Sequence, residues 1–149
     1  MTSRLKNLGT AGQAVWLDFV DRKFLTEGGL RKLVEKDGLT GVTSNPSIFE
    51  KAAAADLRSV YDRLGGKDGY VSLEVSPYVA NDTKETIEEA RRLWDMVAEP
   101  NLMVKVPGTR AGIPAIRQLI EDGLNINVTL IFSLTAYQAL AEAYMAGLE

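Results

Sequence analysis

Two stretches, Leu102-Met-Val-Lys-Val-Pro107 and, about a helix length later, Asn125-Ile-Asn-Val-Thr-Leu-Ile-Phe-Ser133, decide how this chain is read. Side chains alternate along a strand, so each run splits into two faces. In the first, Leu102, Val104 and Val106 share one face, with Met103 and Lys105 on the other. In the second, Ile126, Val128, Leu130 and Phe132 oppose Asn125, Asn127 and Thr129. Strands covered on both faces read as continuous apolar runs. A lysine inside such a run needs a reason, because Lys is rarely fully buried unless paired. No acidic residue lies near Lys105 in the sequence.

Outward from these two runs the same pattern recurs. Expected strands are Ala14–Phe19, Leu39–Thr43, Tyr70–Val75, Leu102–Val106 and Ile126–Phe132, separated by stretches of helical length. Asp37-Gly38 and Asp122-Gly123 read as helix stops, with Gly taking the left-handed conformation. Asp82 with Glu85 resembles a capping box ahead of an apolar stripe at Ile87, Ala90, Trp94 and Val97. Asn45 followed by Pro46 suits a helix start. Ser133 suits the cap of a last helix that turns Tyr137, Leu140 and Tyr144 inward. Strand–helix alternation five times over predicts an α/β fold with a parallel sheet. The sheet could be open and doubly wound or part of a (β/α) barrel. Gly108-Thr-Arg-Ala-Gly112 lacks the spacing of a dinucleotide fingerprint and lends the open form little support.

Composition narrows the chemistry. The 149 residues include 17 Lys plus Arg and 20 Asp plus Glu, with 46% apolar and 25% charged residues and a net charge of −3. This is an ordinary globular composition. The length suits a single domain, residues 1–149, burying roughly 70% of the surface of the unfolded chain. The charge offers no basic field for a nucleic-acid partner. Neither a signal peptide nor a run of membrane-spanning length is visible, so the expectation is a cytoplasmic protein with no membrane partner. There is no His and no Cys. That excludes imidazole acid–base chemistry, thiolate nucleophiles and His- or Cys-based metal sites. No metal is expected, and catalysis would fall to Asp, Glu, Lys, Arg, Tyr or hydroxyls.

Each expected strand carries polar or ionisable groups on one face, mostly towards its C-terminal end: Asp18, Thr43 and Asn45, Glu74, Lys105, and Asn127 with Thr129. Singly, each has a plain structural reading. Asp18 could cap or flank an edge, Glu74 could be solvated, Asn45 could cap its helix, and Thr129 is an ordinary strand residue. Together they are better explained by convergence on one site. In (β/α)₈ enzymes the C-terminal strand ends and following loops build the active site. A lysine that is neutral there attacks carbonyls and forms a Schiff base, an electron sink for carbon–carbon cleavage. Burial among apolar groups favours the neutral amine, and nearby carboxylates can move the protons.

At these residues the chain resembles the transaldolase family. Gly41-Val-Thr-Ser-Asn-Pro-Ser-Ile-Phe49 is similar to its first signature. Leu102–Pro107, running through Gly112-Ile-Pro-Ala-Ile116 to Asn125–Ser133, is similar to its Schiff-base signature. Trp16-Leu-Asp18 and Val71-Ser-Leu-Glu-Val75 match its first- and third-strand patterns. The resemblance implies a (β/α)₈ TIM barrel without cofactor. In it, a lysine Schiff base carries a dihydroxyacetone unit from sedoheptulose 7-phosphate to glyceraldehyde 3-phosphate in the pentose phosphate pathway. Lys105 would be the Schiff-base lysine and Asp18 the acid–base for the substrate hydroxyl. Glu74 and Thr129 would position a proton-relaying water. Asn45 and Asn127 would bind the substrate hydroxyls, and Thr43 would line the pocket. Phosphorylated sugars would be the substrates.

Two departures accompany the resemblance. Only Pro46–Gly69 separates the second and third strands, where the family carries a longer helical excursion. The chain also stops at Gly147-Leu-Glu149, after about five of eight βα units, which reads as the N-terminal portion of a truncated barrel. Five strands cannot close an eight-stranded barrel, so little activity and self-association through open sheet edges are expected. A fructose-6-phosphate-aldolase-like enzyme and a non-catalytic half-barrel are the competing readings. Arg110, after the lysine strand, reads as a solvated loop charge rather than a phosphate contact.

Overall fold

The computed structural model describes residues 3–18, 21–44 and 50–149. Five strands form one parallel sheet in the order β1-β2-β3-β4-β5. They are β1 (Trp16–Leu17), β2 (Gly41–Ser44), β3 (Val71–Glu74), β4 (Leu102–Pro107) and β5 (Ile126–Thr129). Spatial order follows chain order without a reversal. A doubly wound sheet reverses at its switch point, so the ordering is that of a (β/α) barrel. The helices are α1 (Arg4–Thr10), α2 (Arg22–Thr26), α3 (Gly29–Asp37), α4 (Glu50–Arg63), α5 (Thr83–Val97), α6 (Gly112–Glu121) and α7 (Leu134–Leu148). The chain divides into two compact units, residues 1–72 with 99–102 and residues 73–98 with 103–149.

In the first unit β1 pairs in parallel with β2, Trp16 opposite Gly41 and Leu17 opposite Val42. The core joins Leu25, Leu30, Leu39, Val42, Ala53, Ala54, Leu57, Val60 and Val71, with Val15, Leu17, Phe24, Leu33 and Val34 packed against it. Fully burying one Val or Leu contributes about 1.5–3 kcal/mol. Gly38 closes α3 at φ 74°, as the Asp37-Gly38 pattern predicts. Asn101, fully buried, ties α4 to the turn before β3: its Nδ2 donates to the carbonyls of Ala54 (2.9 Å) and Gly69 (3.0 Å). Helices α1 and α2 are additions to the sequence reading. Helix α1 buries no residue and α2 buries only Leu25, so neither carries a full amphipathic stripe. The expected helix start at Asn45–Pro46, and Phe19 of the first strand, lie outside the described residues.

In the second unit β4 and β5 pair in parallel, Lys105 opposite Asn127 and Pro107 opposite Thr129. Leu102, Val104 and Val106 are buried and Met103 and Lys105 half-buried, the alternation read from the sequence. Helix α6 packs between α5 and α7. Asp82 caps α5 by accepting from the Glu85 amide, Gly123 follows α6 at φ 84°, and Ser133 caps α7 by accepting from the Ala136 amide. Three expectations are corrected. Ala90 and Val97 of the expected α5 stripe are buried, but Thr86 and Leu93 take the inward places expected of Ile87 and Trp94, which are half-buried. Strand β5 ends at Thr129, because Leu130 turns left-handed at φ 61° and Phe132 is 87% exposed. On α7 only Leu140 of the expected trio is buried, while Tyr137 and Tyr144 are exposed.

Candidate functional site

The expected site residues fall into two local groups. In the first unit Asp18 directly follows β1 and Thr43 lies on β2. Their register continues from the Trp16–Gly41 and Leu17–Val42 pairs, which brings the side chains to one face. The Thr43 hydroxyl donates to Asp18 Oδ1 at 2.5 Å. A hydroxyl-to-carboxylate bond of this length is charge-assisted and orients the carboxylate. Asn45 lies outside the described residues.

In the second unit, Glu74 is the last residue of β3 and Lys105 sits in the C-terminal half of β4. The Lys105 Nζ stands 3.1 Å from Glu74 Oε2, with the two side chains 19% and 20% exposed. The partner absent from the sequence neighbourhood of Lys105 thus comes from the adjacent strand, 31 residues away. The backbone fixes the pairing: the Val75 amide, next to Glu74, donates to the Lys105 carbonyl at 3.1 Å. Residues opposite one another on parallel strands present side chains to the same face, so Asn127 stands beside Lys105. Thr129 follows two residues further along that face, at the end of β5. An amine, a carboxylate, an amide and a hydroxyl therefore gather at the C-terminal ends of three consecutive strands. The amine–carboxylate separation is within reach of direct proton transfer. Glu74, one of the carboxylates expected near the lysine, is its ion-pair partner. Tyr70, which shares a strand face with Glu74 by alternation, donates its hydroxyl to the Gly66 carbonyl at 2.7 Å and serves the turn before β3.

Sequence reading passed over Thr109 in the loop after β4. Its hydroxyl donates to the Ala80 carbonyl (2.5 Å) and accepts from the Gly112 amide (2.9 Å). Among the described residues no group of three or more acidic side chains could hold a metal ion. No described helix is long and apolar enough to cross a membrane.

The family model described as transaldolase/fructose-6-phosphate aldolase matches residues 15–148. A transaldolase of Thiobacillus denitrificans is 42% identical, covering 96% of this chain and 50% of its own length. A transaldolase of Thermobifida fusca is 42% identical, covering 100% of this chain and 50% of its own length. Transaldolase 2 of Nostoc punctiforme is 38% identical, covering 99% and 48%. The chain spans about half the length of the curated relatives it matches. The Thermobifida alignment runs over 184 positions against the 149 residues here, so about 35 positions of that relative have no counterpart in this chain. The match extends through all five strands and both groups of expected site residues, and the chain belongs to the transaldolase/fructose-6-phosphate aldolase family.

Proposed function

We propose that this chain carries the Schiff-base machinery of a transaldolase, moving a dihydroxyacetone unit from sedoheptulose 7-phosphate to glyceraldehyde 3-phosphate through Lys105. The observation that carries the reading is the Lys105–Glu74 pair at 3.1 Å on adjacent strand ends, within a family match covering residues 15–148. The Lys105 amine, having passed its proton towards Glu74, adds to the ketose carbonyl carbon. A C–N bond forms, the carbonyl π pair moves to oxygen, and a proton returns to give the carbinolamine. The nitrogen then gives up a second proton, which water held by Glu74 and Thr129 relays to the hydroxyl; the nitrogen lone pair expels that oxygen as water and leaves the iminium. Asp18 accepts the substrate hydroxyl proton as the carbon–carbon bond breaks. The bonding pair then moves into the iminium as an enamine, and an aldehyde departs. The enamine attacks the acceptor aldehyde, and hydrolysis returns the free lysine. Asn45 and Asn127 hold the hydroxyls of the three-carbon unit, and Thr43 lines the pocket and orients Asp18.

The test is borohydride reduction in the presence of fructose 6-phosphate, read by peptide mass. A reduced three-carbon adduct on Lys105, absent from Lys105→Met, is expected. No adduct on a folded chain overturns the proposal. The family description names an aldolase beside the transferase, which keeps release of free dihydroxyacetone as a second reading. Comparing transfer to an added aldehyde with free dihydroxyacetone formed separates the two.

A further inference from the structure

We infer that Thr109 is a positioning residue for the Lys105–Glu74 pair, an inference that rests on the Schiff-base reading above. The loop 108–111 leaves the lysine strand and is bonded to the segments that follow both neighbouring strands. Towards β5, the Gly108 amide donates to the Thr129 carbonyl at 2.7 Å. Towards β3, the Thr109 hydroxyl donates to the Ala80 carbonyl at 2.5 Å, in the segment between Glu74 and the Asp82 cap. The same hydroxyl accepts from the Gly112 amide at 2.9 Å, which anchors it on the first turn of α6. One hydroxyl has one donor and two acceptor positions. Here it holds the strand-end segment of the carboxylate to the helix that follows the amine.

The loop has little room to rearrange around a lost bond. Gly112 is buried, and a Cβ there would lie 2.1 Å from the Pro107 carbonyl oxygen. Beside this clamp runs an ordinary tie, the Thr83 hydroxyl donating to the Ala111 carbonyl at 2.8 Å. It joins the first residue of α5, three positions past Ala80, to the same loop without using the Thr109 hydroxyl. Loss of the Thr109 hydroxyl therefore frees the segment after β3 from the start of α6 and leaves the Val75–Lys105 ladder bond as the remaining hold on the amine–carboxylate distance. Displacements of about 1 Å at a reacting pair can cost on the order of 100-fold in rate.

The experiment follows the rate of borohydride-trapped adduct at Lys105 against dihydroxyacetone concentration, in the unsubstituted chain and in Thr109→Val, Thr109→Ser and Thr83→Val. Thr109→Val keeps the shape of the side chain and removes only the hydroxyl. It is expected to lower the limiting trapping rate by about tenfold or more while the half-saturating concentration stays within about twofold. Thr109→Ser, which restores the hydroxyl, and Thr83→Val, which loses a comparable bond elsewhere in the loop, are expected to remain near the unsubstituted rate. An unchanged rate in Thr109→Val, an equal fall in Thr83→Val, or a failure of Thr109→Ser to restore the rate overturns the positioning role alone. If the Val chain loses its cooperative melt, Thr109→Ser decides: an unchanged rate supports the role and a fall overturns it. No adduct in the folded unsubstituted chain overturns the Schiff-base reading itself, and the positioning role with it.

Discussion

Replacing Asn101 with Ala removes a side chain that is fully buried and donates from one nitrogen to two carbonyls, those of Ala54 and Gly69. The Ala54 carbonyl lies inside α4 and also accepts the helical bond four residues on. Losing its second partner costs about 0.5–1.5 kcal/mol. The Gly69 carbonyl is left facing the interior without that donor, which costs about 1–3 kcal/mol. Against this stands Asn101 Oδ1, buried with no hydrogen-bond partner, whose removal returns about 1 kcal/mol. The void adds about 1 kcal/mol. The sum is a loss of about 3 kcal/mol, and at a urea slope of about 2 kcal/mol per M the midpoint falls by about 1.5 M. Asn101→Asp is expected to be worse at neutral pH, because a buried carboxylate would face two carbonyl oxygens. Its folded state would bind a proton that the unfolded chain releases, so its stability should fall as pH rises and approach that of the Ala variant in acid. Urea titrations at pH 7 and pH 5, with matched slopes, measure all of this. A midpoint shift below about 0.5 M for Asn101→Ala, or an Asp variant as stable as the original chain at pH 7, would show that this amide does not carry the stabilisation assigned to it.

Two further outcomes follow from local geometry. The Arg91 guanidinium donates to Asp122 Oδ2 through Nε (2.8 Å) and Nη2 (2.5 Å), and this bond holds the carboxyl below its usual range. A lowered folded pKa means the stabilisation is present above the unfolded value and is lost as pH falls through the folded one. Acid titration of stability should therefore be shallower in Asp122→Asn than in the original chain, and identical acid limbs would contradict the assignment. Leu130, at φ 61° and 54% exposed, holds a conformation that costs an L-residue roughly 1–2 kcal/mol. Leu130→Gly should leave the urea midpoint unchanged or raised, and Leu130→Val should lower it. The reverse order would refute the strain.

The parts of the fold legible in the sequence are those decided by neighbours along the chain. Strand β4 was readable because alternation alone separates Leu102, Val104 and Val106 from Met103 and Lys105. Gly38, Asp82, Gly123 and Ser133 were readable because caps are set within a few residues. The lysine was legible as an anomaly and Glu74 as a polar group on a neighbouring strand, but their direct pairing was not, since the contact depends on strand register. The end of β5 was misread because a leucine rarely enters the left-handed region and carries no mark of doing so. Periodicity turns Tyr137 and Tyr144 inward, yet α7 is apolar on several sides, so period alone does not choose its buried face. Thr109 was invisible because its carbonyl partner lies 29 residues away.

The loop after β4 is held in place by one set of groups and meets solvent with another. Its ties run through backbone groups and the Thr109 and Thr83 hydroxyls, while the side chain of Arg110, at its tip, is exposed. The frame of the lysine strand and the chemistry displayed beside it are thus encoded by different residues. Position 110 can change charge, size or polarity from one descendant to the next without disturbing the hydrogen bonds that keep the loop in place. Such a division gives selection, natural or in the laboratory, a position to explore at little risk to the fold.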